Sequence, residues 1–218
     1  MSVAAIARRV SAEGLVTGME WTPAEVRDVL RLAGKMKANP ARYRTALEGR
    51  SVALIFEKPS LRTRVTFDVG VASLGGHPIF LDQTGCRLGE REPLRDVAKN
   101  LERWVHAIAV RTFAQETVDE LARHASIPVV NALSDRFHPC QALADFLTLE
   151  ERFGSLAGLR LAYIGDGNNM CHSLMLAAAQ TGVALRVGAP KGYQPAQDVT
   201  NWARGVAQET GATIEIFD

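Results

Sequence analysis

Apolar residues fall into two alternating kinds of run along this chain. Short runs with little polar interruption have the length and β-branched content of buried strands: Ser51 to Ile55, Pro78 to Leu81, Ala107 to Val110, Pro128 to Asn131, Leu159 to Ile164, Ala184 to Ala189 and Thr213 to Ile216. Between them apolar residues return every three or four positions, the spacing of a helix with one buried face. These stretches run from Thr22 to about Lys37, Ser60 to Gly75, Pro93 to His106, Gln115 to His124, Gln141 to Phe153, Met170 to Gly182 and Val199 to Gly211. Strands alternating with helices predict the α/β class, with parallel sheets flanked by helices.

Local signals punctuate the pattern. Thr22-Pro23-Ala24-Glu25 has the hydroxyl cap, first-turn proline and third-position acid of a helix start, and Asn39-Pro40 ends that helix. Thr84 to Glu92 is polar, contains glycine and lacks an apolar period, so it reads as an exposed loop. Gly154-Ser155-Leu156-Ala157-Gly158 is the expected domain boundary, giving domains 1–153 and 154–218.

Chemistry gathers at Phe56-Glu57-Lys58-Pro59-Ser60-Leu61-Arg62-Thr63-Arg64, where a strand run meets a helix pattern. Pro59 breaks the chain and Ser60 is a good N-cap. Two arginines and two hydroxyls then lie where free backbone N–H groups and the helix dipole favour an anion. Most first-turn arginines are solvated surface charges, but arginine stands at the unfavourable end of the dipole for stability alone. Arg111 closes the Ala107 run, and ligands of open parallel sheets bind beyond strand carboxyl ends. Topology thus brings Arg111 toward the Ser60 turn.

His138-Pro139-Cys140-Gln141, together with Ser60-Leu61-Arg62-Thr63-Arg64, resembles the carbamoyl-phosphate signature of the transcarbamylases. The resemblance runs from about Thr22 to the end of the sequence, and within the family the chain is most similar to ornithine carbamoyltransferases. It implies two Rossmann-like domains, the second incomplete here, and a homotrimer acting without cofactor or metal in the cytoplasm, in arginine biosynthesis or catabolism. Ser60, Leu61, Arg62 and Thr63 would hold the phosphate of carbamoyl phosphate, joined by Arg111 and by Arg87 from the Thr84 loop. Arg111, His138 and Thr63 would polarise the carbonyl, Gln141 would accept from the carbamoyl amide, and Asn169 would face L-ornithine. Aspartate transcarbamylases place an arginine where Asn169 stands, so asparagine favours ornithine. Leu61 departs from the family's more usual threonine, a change that a backbone N–H contact survives.

Composition narrows the alternatives. A net charge of +1 over 218 residues gives no reason to invoke nucleic acid or a membrane surface. Three cysteines without metal-type spacing suit a reducing compartment. His77, His106, His124 and His172 carry no motif, and Cys140 reads as a small buried group rather than a nucleophile. Alternatives of two kinds stay open at this point. One is a carbamoyl-phosphate-binding paralogue without turnover, or a transcarbamylase for N-acetylornithine or putrescine. The other is a nicotinamide-dependent dehydrogenase built on Gly165-Asp166-Gly167-Asn168-Asn169-Met170, although this turn lacks the third glycine of G-x-G-x-x-G.

Overall fold

The computed structural model describes residues 14–81 and 88–218. The described residues form two compact units, one of residues 14–16 and Lys35–Asp135, the other of Thr17–Gly34 and Arg136–Asp218. Helix α1 (Pro23–Ala38) opens with the expected reciprocal cap: Thr22 N–H donates to the Glu25 carboxylate at 2.7 Å, and Glu25 N–H donates to Thr22 Oγ1 at 3.3 Å.

The first unit is built on β1 (Ser51–Phe56), α2 (Leu61–Ser73), β2 (His77–Leu81), α3 (Leu94–Leu101), β3 (Ala107–Arg111), α4 (Gln115–His124) and β4 (Val129–Leu133). All four strands are parallel, in the order β2-β1-β3-β4. From β1 the chain steps outward to β2 on one side, then to β3 and β4 on the other. The strand order therefore reverses between β1 and β3, where an open parallel sheet forms its ligand crevice. Ala53, Ile55, Ile108 and Val110 pack with Val118 and Leu121 of α4 and Ala98 of α3, while Leu54, Phe56 and Ala109 form a smaller cluster. The Pro93 helix is shorter than its spacing suggests, ending at Leu101, and Val105 is buried beyond its end.

Helix α2 departs further from expectation. The spacing of Val65, Phe67, Val69, Val71, Ala72 and Leu74 predicts a face packed on the sheet, yet Val71 alone of the helix is buried. Val65 and Val69 are 49% and 56% exposed, and with Leu61 they form an apolar stripe on the surface of this unit.

The other unit holds α5 (Pro139–Phe153), β5 (Arg160–Ile164), α6 (Asn169–Thr181), β6 (Ala184–Gly188), α7 (Gln197–Thr210) and β7 (Thr213–Phe217). Its three strands are parallel, in the order β5-β6-β7. A division at 153/154 separates the two sheets in chain order, but α5 packs with the second. Phe146 and Ala142 share an apolar core with Met175, Leu176, Leu185 and Val199. No helix among the described residues is long and apolar enough to cross a membrane.

Candidate functional site

At the reversal of the first sheet, β1 and β3 end side by side, with Phe56 opposite Arg111. Glu57 N–H donates to the Arg111 carbonyl at 2.9 Å, and the Thr112 hydroxyl donates to the Glu57 carboxylate, joining the two strand ends. Pro59 and the extended backbone of Ser60 stop the strand, and α2 begins at the next residue. Ser60 Oγ accepts from Thr63 N–H at 3.3 Å and donates to Thr63 Oγ1 at 3.0 Å. Both hydroxyls therefore meet at the first turn of α2. Arg62 is exposed on that turn. Burial disfavours the charged form of Arg111, and its Nε is buried without a hydrogen-bond partner among the described residues. An anion supplies what such a guanidinium lacks, both countercharge and an acceptor.

Arg64 is used differently. Its guanidinium carbon lies 3.6 Å from the centroid of the Phe80 ring, which packs in turn on Phe56. This arginine braces α2 against β2.

In the second unit, His138 occupies the N-cap position of α5 and Pro139 its first turn, where the missing N–H costs nothing. His138 N–H donates to Ser173 Oγ at 2.8 Å. Gln141, one turn on, donates its amide to Asp145 at 2.8 Å, which leaves its carbonyl oxygen directed to the role of acceptor. Asn168 caps α6, accepting from Met170 N–H at 2.9 Å and Cys171 N–H at 3.1 Å, so it is committed to the helix and Asn169 opens the first turn. A side-chain Cβ at Gly167 would stand 2.1 Å from Pro195 N, and Gly167 N–H donates to the Tyr193 carbonyl. The close approach this glycine permits is taken by the protein's own backbone rather than by a pyrophosphate, which argues against a dinucleotide here.

His172 carries no motif in the sequence, yet it is buried with both ring nitrogens bonded: Nδ1 lies 3.0 Å from the Arg136 carbonyl and Nε2 accepts from Ala196 N–H at 3.0 Å. A histidine and a serine side by side on the apolar stretch Met170 to Ala179 are the signal that could have marked it. Burial, foremost, pushes the imidazole below its ordinary pKa. The unfolded chain then takes up the proton first, so the stabilisation from neutral His172 is complete above about pH 6.5 and is lost as pH falls toward the folded-state value. We expect the melting temperature to fall on acidification below about pH 6.5, with a flatter profile for His172→Gln. Equal slopes for the two proteins would dismiss this contribution.

The sequence matches the carbamoyl-phosphate-binding domain of the aspartate/ornithine carbamoyltransferases over residues 14–151, and their aspartate/ornithine-binding domain over 157–218. The chain belongs to the aspartate/ornithine carbamoyltransferase family. Among relatives, an ornithine carbamoyltransferase of Thermus thermophilus is 58% identical over 176 residues, 80% of this chain and 58% of the relative. One of Listeria monocytogenes is 45% identical over 204 residues, 94% of this chain and 65% of the relative. The solved ornithine carbamoyltransferase of Pyrococcus furiosus superposes with a TM-score of 0.92 at 40% identity, covering 95% of this chain and 67% of that one. The match thus covers 58 to 67% of the length of these relatives.

The two carbamoyltransferase domain matches part between residues 151 and 157. Each signature segment sits at a helix start: Ser60 to Arg64 in the first unit, His138 to Gln141 in the second. In the first unit Ser60 and Thr63 bond each other at the helix start that follows β1, and Arg111 ends β3, the strand paired with β1. His138 and Asn169 belong to the other unit, linked through the opening turns of α6. Arg87 lies outside the described residues. Burial pushes the Cys140 thiol up to about 12, which suits a packed group and not a nucleophile.

Proposed function

We propose that the protein transfers the carbamoyl group of carbamoyl phosphate to the δ-amine of L-ornithine, giving L-citrulline and phosphate. The observation that carries this reading is a buried Arg111 Nε without a partner among the described residues, at the end of the strand paired with the one that leads into the Ser60-capped helix, at the sheet's switch point. In this reading the Ser60 to Thr63 N–H groups, their hydroxyls and Arg62 hold the phosphate. Arg111, Thr63 and His138 polarise the carbonyl, so that charge growing on its oxygen in the tetrahedral intermediate meets fixed donors. The Gln141 carbonyl accepts from the carbamoyl N–H, and Asn169 holds the α-carboxylate and amine end of ornithine.

The neutral δ-amine attacks the carbonyl carbon, the C–O bond to phosphate breaks, and the departing phosphate takes the amine's proton. Orientation and preorganised dipoles carry the catalysis, a role these residues fill without a metal or cofactor. The names borne by the relatives support ornithine as acceptor, as does asparagine at 169. The same reading assigns residues 1–153 to carbamoyl phosphate and 154–218 to part of an ornithine domain, in a cytoplasmic homotrimer serving arginine metabolism.

Calorimetric titration with phosphonoacetyl-L-ornithine, which joins both substrates' chemistry in one molecule, tests the assignment. Tight binding that carbamoyl phosphate displaces is the expected result. Binding of carbamoyl phosphate with indifference to the analogue would overturn ornithine as acceptor, and indifference to both would overturn the transferase.

A further inference from the structure

We infer that His172 and Ser173 are positioning residues that clamp the chain segment presenting His138. The inference rests on the carbamoyl-transfer reading above, which gives His138 its task. Two consecutive residues of α6 hold that segment at alternate positions. The Arg136 carbonyl lies 3.0 Å from His172 Nδ1, and His138 N–H donates to Ser173 Oγ at 2.8 Å. Between them Phe137 is buried, its ring centroid 5.9 Å from that of the imidazole.

The tautomer of His172 is fixed by its surroundings. Ala196 N–H is a donor only, so Nε2 accepts from it, and Nδ1 carries the proton that the Arg136 carbonyl receives. Arg136 is tied further by an ion pair with Asp198 in the first turn of α7. At 6% and 2% exposure, His172 and Ser173 are enclosed by protein, so their influence on a ligand passes through the segment they hold. The same helix starts at Asn169, one turn earlier. The opening turns of α6 thereby set the backbone that carries His138 and the side chain proposed for ornithine, coupling the electrophile's orientation to the amine's. A small misplacement of such a group is expensive, because catalysis by orientation depends on it.

The two ring nitrogens can be tested apart. In His172→Asn the amide reaches the position of Nδ1 and can donate to Arg136, whereas in His172→Gln it reaches that of Nε2 and keeps only the Ala196 bond. Hydrogen exchange at the His138 amide, carbamoyl-phosphate affinity by calorimetry and melting temperature are measured on all three proteins. We expect His172→Gln to speed exchange and weaken affinity, each about tenfold. His172→Asn is expected to stay close to the unmodified protein in both, while losing a comparable share of melting temperature. Ser173→Ala, which removes the acceptor itself, should speed exchange at least as much as His172→Gln. If the two His172 variants change exchange and affinity equally, in step with lost stability, the clamp is overturned. Failure of the unmodified protein to bind carbamoyl phosphate overturns the transfer reading instead, and the exchange comparison still judges the clamp.

Discussion

Replacing Arg111 with alanine should weaken carbamoyl-phosphate binding about hundredfold and leave the melting temperature unchanged or higher. The two halves of this expectation come from one observation. The guanidinium is partly desolvated, and its Nε is buried without a partner among the described residues. A cation so placed costs the folded protein free energy, and truncating it removes that cost. The same geometry makes it a strong donor to a bound anion, since charge-assisted hydrogen bonds are worth roughly 1.5 to 3 kcal/mol each and Arg111 can offer more than one. Lysine should not restore binding, because an ammonium lacks the planar fork and carries no donor at the Nε position. Calorimetry and thermal melting on one preparation measure both quantities. Unchanged affinity would remove Arg111 from the anion site, and a lowered melting temperature would show that the strand ends depend on its packing.

The largest loss of stability should come from Phe146→Ala, at about 3 to 5 kcal/mol. Phe146 is fully buried, on the face of α5 that shares a core with Leu30, Met175 and Leu176. Removing a ring from a close-packed core forfeits its transfer free energy and leaves a cavity in a cluster rich in alanine, whose members have little side chain to move inward. Urea unfolding measures the effect, with a shifted midpoint and an unchanged slope expected. A loss below about 1 kcal/mol would mean that α5 collapses onto the second sheet and fills the space.

Most of the fold was legible because each element announces itself locally. Gln115–His124 forms with the bounds expected of it, and the other expected helices and strands differ by a few residues at their ends, whereas the short 3-10 helix Pro40–Tyr43 was not foreseen. Periodicity marks an apolar face without saying what covers it, which is why Val65 and Val69 read as core and stand exposed on α2. The capped start of α2 was legible for a further reason. Ser60 and Thr63 lie three residues apart, a spacing at which helix geometry alone makes them touch, and strand-end topology supplied Arg111. Contacts between residues distant in sequence were not. The stacking of Arg64 on Phe80 depends on β2 pairing beside β1, and the partners of His172 come from Arg136 and Ala196, on two separate loops. A lone histidine looks the same in sequence whether it faces water or holds two loops together.

The thiols of Cys140 and Cys171 are both pushed up to about 12 by burial. Little of either is ionised at neutral pH, and the ionised form is the one that reacts. Alkylating reagents should therefore meet an almost inert pair while the native structure holds, and a fast one once α5 or α6 comes away. Nature has left these two helices with an internal timer of their own opening, readable by mass after a pulse of iodoacetamide.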